Sequence, residues 1–123
     1  MKKPTESELE ILSVLWQNGP SSVRQVHQVL SEQREIVYTT TLKLLQVMAE
    51  KGFVNRDTSQ KSHIYEAAIQ PEMLREDMVD KVINTVFSGS SLQLVMHALG
   101  TGHTSPEELS RIKQLIEDLE KKQ

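Results

Sequence analysis

Apolar residues recur at helical spacing through the first third of the chain. Over residues 5–18, Leu9, Leu12 and Trp16 fall on one stripe, Thr5 or Ser7 can cap the helix, and acidic side chains favour its N-terminal end. Gly19-Pro20 stops that helix, and Ser21-Ser22 caps a second over roughly 23–33 with Val23, Val26 and Leu30 inward. A short irregular stretch, Arg34-Glu35-Ile36-Val37, leads to a third helix from about 39 to 51, ending at Gly52. Its inward stripe reads as Leu42, Leu45 and Met48 or Ala49. The period then changes. Residues 53–57 and 63–67 read as strands joined by the polar turn Thr58–Ser62, a β-hairpin placed directly after the third helix. Past Pro71 the helical period returns over 72–88, with Leu74, Met78, Val82 and Phe87 apolar, and over 91–99, closed by Gly100. A last helix over 106–122 opens on Ser105-Pro106-Glu107-Glu108 and carries Leu109, Ile112, Ile116 and Leu119 on one face.

This order predicts a mainly α chain. Three helices plus a hairpin make a winged helix-turn-helix domain over residues 1–70, and C-terminal helices over 71–123 make a dimerisation domain. The C-terminal helices are too few to close a core yet apolar on one face. Pairing of two chains through Leu74, Met78, Val82, Leu94, Leu109, Ile112 and Ile116 is the expected remedy.

Three threonines open the third helix, although Thr is a poor helix former. Their hydroxyls either cap the helix or face something outside the protein. Opposite the inward stripe lie Thr39, Thr40, Lys43 and Gln46, short or flexible hydrogen-bonding groups suited to a helix that enters a major groove. Thr41 lies nearer the core stripe. In the hairpin, Arg56, Gln60, Lys61, Ser62 and His63 form a wing that can reach the DNA backbone. The blander reading is a solvated helix face and a polar hairpin tip; the two preceding helices and the hairpin together favour DNA.

Charge qualifies this reading without reversing it. The net charge is −3, but residues 1–70 hold eight Lys/Arg against eight Asp/Glu, and residues 71–123 hold six against nine. Within 38–63, Lys43, Lys51, Arg56 and Lys61 face Glu50 and Asp57, a local excess of +2 that short-range screening allows to act on phosphates.

Other chemistry finds no footing. The absence of cysteine excludes disulfides, thiolate metal sites and cysteine nucleophiles. His27, His63, His97 and His103 have no ligand spacing and read as surface, wing, helix and loop residues, so no metal or other cofactor is expected. Trp16 reads as a core anchor, and Tyr65 as packed on the first helix. The carboxylates all fit helix faces or caps; Glu117 and Asp118 with Lys121 and Lys122 offer exposed i,i+4 pairs. The chain is therefore not expected to be an enzyme. No stretch is apolar enough to span a bilayer, and the basic start Met1-Lys2-Lys3-Pro4 precedes no apolar segment, so a cytoplasmic protein is expected.

The run Tyr38-Thr39-Thr40 through Leu45, Met48 and Glu50-Lys51-Gly52-Phe53-Val54 is similar to the recognition helix and first wing strand of the penicillinase repressor (BlaI/MecI) family. Residues 8–16 resemble that family's first helix, and 91–99 with 105–109 its dimerisation region. The resemblance implies a homodimeric repressor on a dyad-symmetric double-stranded DNA operator, controlling β-lactamase or other stress genes. It further implies relief through cleavage prompted by a membrane-bound sensor metalloprotease. Three departures stand out. Val47 occupies a position where family members often carry Arg. His97-Ala98 falls where well-studied members carry the cleaved Asn-Phe pair. The copper-responsive branch has a C-terminal cysteine cluster, and its absence here excludes copper sensing through thiolates. The rival reading is a winged-helix protein-interaction module without specific DNA binding.

Overall fold

The computed structural model describes residues 3–123; Met1 and Lys2, the start of the basic run, lie outside the described residues. The elements are α1 (Glu6–Asn18), β1 (Ser21–Ser22), α2 (Val23–Gln33), α3 (Tyr38–Lys51), β2 (Val54–Asp57), β3 (Ile64–Ala67), α4 (Pro71–Val86), α5 (Ser91–Gly100) and α6 (Pro106–Lys121). The chain divides at Arg75 into two compact units.

In the first unit, α1, α2 and α3 pack on one another, and a three-stranded antiparallel sheet in the order β1-β3-β2 closes the domain. Strand β1 was not visible in the periodicity: two residues are too short to show one. Ser21 pairs with Tyr65 and Ser22 with Ile64, while Arg56 and Asp57 pair with the other side of Tyr65 and Ile64. Ser22 nonetheless also caps α2, exchanging hydrogen bonds with Gln25.

The core collects Ile11, Leu12, Val26, Leu30, Leu45, Met48, Phe53 and Tyr65, all essentially out of solvent. Burying each large apolar side chain contributes about 1.5–3 kcal/mol. The stripe of α1 is rotated from expectation. Ile11, Leu12 and Leu15 are buried, while Leu9 and Trp16 are half-buried. Trp16 still anchors, because its indole N–H donates to the carbonyl of Ile69 at 2.7 Å. The stripe of α3 also differs: Thr41, Leu45 and Met48 are buried and Leu42 is only half-buried. Gly52 adopts φ +83°, and the N–H of Phe53 returns to the carbonyl of Met48 at 2.9 Å, so α3 turns at once into the wing.

The second unit leaves its apolar residues uncovered. No residue of α5 or α6 is buried, and Val82, Leu92, Val95, Met96, Leu109, Ile116 and Leu119 are exposed. Of the expected pairing residues, Met78, Leu94 and Ile112 are half-buried. Leu74 differs from them: at 4% exposure it is already covered within its own chain. Among the described residues the pairs foreseen from Glu117 and Asp118 to Lys121 and Lys122 do not form ion pairs; Asp118 instead accepts from Gln114 at 3.0 Å. No described helix is long and apolar enough to cross a membrane.

Candidate nucleic-acid interface

Helices α1, α2 and α6 each begin with a reciprocal capping box, and α5 with a Ser90 cap. Helix α3 begins on extended Val37, which has no side chain to cap with. The N–H groups of Thr40 and Thr41 both turn to the carbonyl of Val37, at 3.0 and 3.4 Å. Those of Tyr38 and Thr39 find no partner among the described residues, so the positive end of the helix dipole is open to an anion. The threonines therefore do not cap. Thr39 and Thr40 are exposed, whereas Thr41 is fully buried and hydrogen-bonds Nδ1 of His27 at 2.9 Å. His27, read as a surface residue, is half-buried in this polar contact and meets Tyr38 edge-on at 5.4 Å.

All nine side chains expected to meet DNA are exposed. Two grooves gather most of them. Lys43 and Gln46 of α3 line the first with Arg56 of β2, beside Ala49 and Glu50. The second holds Lys61, Ser62 and His63 of the hairpin against the start of α2 and Tyr38. Thr39, Thr40 and Gln60 line neither groove. Arg24, Gln25 and Tyr38 line the second groove and were missed in the sequence reading. Arg24 gave a readable signal, a cation on the polar side of a capped helix; Tyr38 gave one only as an aromatic at a helix start.

The local charge also redistributes. Lys51, counted toward the basic face, is turned to Glu8 with Nζ 2.8 Å from Oε2, and it lies 5.8 Å from the ring of Phe53. Burial alone would push the Glu8 carboxyl up, but the Lys51 ammonium and the N–H of Thr5 outweigh it and hold it below its ordinary value. Arg34 is paired with Glu10 at 3.2 Å. Arg24, Lys43, Arg56 and Lys61 form no ion pair among the described residues. Asp57, at the hairpin, accepts the N–H of Ser59 at 2.9 Å, which lowers its pKa and tightens the turn. What remains here is Arg24, Lys43, Arg56 and Lys61, each without an ion pair among the described residues, around an exposed polar helix face that also carries Glu50.

A helix with an exposed polar face and an open N-terminus, flanked by a hairpin that presents Arg56 and Lys61, defines a winged-helix nucleic-acid-binding protein. The family model described as "Penicillinase repressor" matches residues 4–118, and the chain belongs to that family. It is a DNA-binding transcriptional repressor, not an enzyme. It is 29% identical to the transcriptional regulator BlaI of Mycobacterium tuberculosis, over 92% of this chain and 82% of that protein. It is 22% identical to the penicillinase repressor of Bacillus licheniformis, over 93% and 89%. The methicillin resistance regulatory protein MecI of Mammaliicoccus sciuri is 20% identical, over 91% of each. The fold resembles that of a MarR family protein from Bacillus stearothermophilus, with a TM-score of 0.56 and 16% identity over 98% of this chain and 76% of the other.

Proposed function

We propose that the chain represses transcription as a homodimer that occupies a dyad-symmetric operator and blocks polymerase. Helix α3 lies in the major groove, with Thr39, Thr40, Lys43 and Gln46 facing bases or phosphates. Arg56 and residues Gln60–His63 meet the backbone. The observation that carries this reading is the convergence of Lys43, Gln46 and Arg56 on one groove, where neither cation forms an ion pair among the described residues although Glu50 also lines it.

The uncovered apolar residues of α4, α5 and α6 support pairing through residues 76–123, with Met78, Val82, Leu94, Leu109, Ile112 and Ile116 as the contact set. The N-terminal unit is then the DNA-binding domain and the C-terminal unit the pairing domain. Relief of repression acts on this pairing, because two linked half-site contacts hold far more tightly than one. A membrane-bound sensor metalloprotease is the proposed trigger, and β-lactamase or other stress genes the proposed targets. His97 and Ala98 are exposed near the end of α5, so cleavage there requires that helix turn to unwind first.

Selection from random duplexes tests the reading. The expected result is a palindromic site with half-sites spaced by whole helical turns and an affinity that falls steeply between about 50 and 200 mM salt. Absence of any duplex binding at low salt, with a folded dimer, assigns the chain to the rival class of protein-interaction modules.

A further inference from the structure

We infer that the second groove is a seat for a single DNA backbone phosphate, formed by Arg24 of α2, Tyr38 of α3 and Lys61 with His63 of the hairpin. The inference rests on the DNA-binding reading and extends it to Arg24 and Tyr38, which join the wing residues Lys61 and His63. Three separate elements bring these side chains to one groove, and no carboxylate lines it. Arg24 and Lys61 form no ion pair among the described residues, in contrast to Lys51 and Arg34, which do. With no carboxylate in the lining, the positive charge of Arg24 and Lys61 is left for an anion from outside the chain to meet.

Tyr38 distinguishes this groove from a loose basic patch. The residue is 43% exposed, yet its ring is held edge-on against His27, whose own ring is fixed by the Thr41 and Ser31 hydroxyls. A phenol so oriented offers one O–H donor, and Arg24 adds a planar, bidentate donor set that matches phosphate geometry. The occupant is a backbone phosphate, because the groove is open and polar and sits beside the N-terminal end of the helix proposed to enter the major groove. A contact of this kind fixes register without reading sequence. Arg24 and Tyr38 thus both add affinity and orientation, Arg24 with a charge and Tyr38 without one.

The test measures affinity by fluorescence anisotropy for full-length wild type, Arg24→Ala, Tyr38→Phe and Lys43→Ala. The probes are the selected operator and a scrambled duplex of equal length, over a salt series. Losing one phosphate contact lowers the log–log salt slope by about 0.9 per protomer, which at about 0.1 M salt corresponds to roughly eightfold weaker binding per half-site. Arg24→Ala is expected to show this loss on operator and scrambled duplex alike, leaving their ratio unchanged. Tyr38→Phe, which keeps the ring, weakens both duplexes with no change in slope. Wild-type affinity and slope in Arg24→Ala and Tyr38→Phe, with Lys43→Ala still impaired, overturn the seat and leave the DNA reading standing. A loss in Arg24→Ala confined to the operator makes Arg24 a base-reading residue and also overturns the seat. Failure of the wild type to bind either duplex removes both readings together.

Discussion

Nδ1 of His27 lies 2.9 Å from Oγ1 of Thr41, a hydroxyl fully buried at the fourth position of α3. The direction of this bond follows from the far side of the ring. The hydroxyl of Ser31 sits 2.8 Å from the carbonyl of His27, to which it donates, and 3.2 Å from Nε2. With its proton committed to the carbonyl, that oxygen accepts from Nε2–H. In the neutral ring Nδ1 is then the acceptor and Thr41 the donor. The contact ties the start of α3 to α2 and explains why a poor helix former is kept inside the helix.

Thr41→Val keeps the branched shape and removes the donor. It is expected to cost about 1–2 kcal/mol, seen as a lower urea midpoint at unchanged slope. Long-range proton–nitrogen correlation of His27 in the neutral form should place the proton on Nε2. A proton on Nδ1 reverses the assigned bond.

Glu8 and Lys51 form the second tie on α3, at its other end, and they are unequally buried, with side chains 2% and 28% exposed. The folded carboxyl titrates below its ordinary value of 4.5, so the stabilisation is complete above that pH and is lost as pH falls through the folded value. Acidification below about pH 4.5 should therefore erode stability in the wild type and less in Glu8→Gln. At neutral pH, Lys51→Met should cost more than Glu8→Gln, about 3 kcal/mol or more, because it strands the buried carboxylate. Glu8→Gln leaves a cation that can still reach water. Urea unfolding across pH checks both; equal costs for the two variants would remove the argument from unequal burial.

The sequence made the helices and the hairpin legible because each is long enough to show its period. What it hid were contacts between distant segments. Glu8 reads as a good first-turn acid, and it does complete the Thr5 capping box, but its second oxygen belongs to a lysine 43 residues away. Thr41 reads as lying nearer the core stripe beside Leu42; in the structure it is buried while Leu42 is half-buried, and its hydroxyl bonds His27 of α2. Residues on the exposed face were named from their chemistry, yet Arg24 and Tyr38 join them only through the tertiary fold. No local pattern marks a groove between α2 and a hairpin some forty residues later.

Lys43, Gln46 and Val47 make separable predictions for recognition. Lys43→Ala should weaken operator binding with the fold unchanged, as unaltered circular dichroism and unfolding midpoint would show. Gln46→Ala should narrow the gap between operator and scrambled duplex by about 1–3 kcal/mol, the range for one bidentate base contact. Val47 is half-buried at the margin of the same face. An arginine there can run its stem along the apolar margin and place its head toward the DNA. Val47→Arg is therefore expected to raise affinity and steepen the salt slope by about 0.9 per protomer. An unchanged slope would place position 47 outside the interface.

Ile116 is 49% exposed in the single chain, so an aspartate there leaves the fold of each unit intact while placing a charge in the proposed pairing face. Ile116→Asp should sediment as a monomer at concentrations where the wild type is a dimer. Its affinity for the full operator should fall by a factor on the order of 10² to 10⁴, because the second half-site no longer benefits from linkage to the first. Binding to a duplex carrying one half-site should stay at the wild-type value, since α3 and the wing are untouched. That pairing of outcomes isolates dimerisation from recognition. A variant that remains dimeric and binds the operator fully would move the pairing face away from α6.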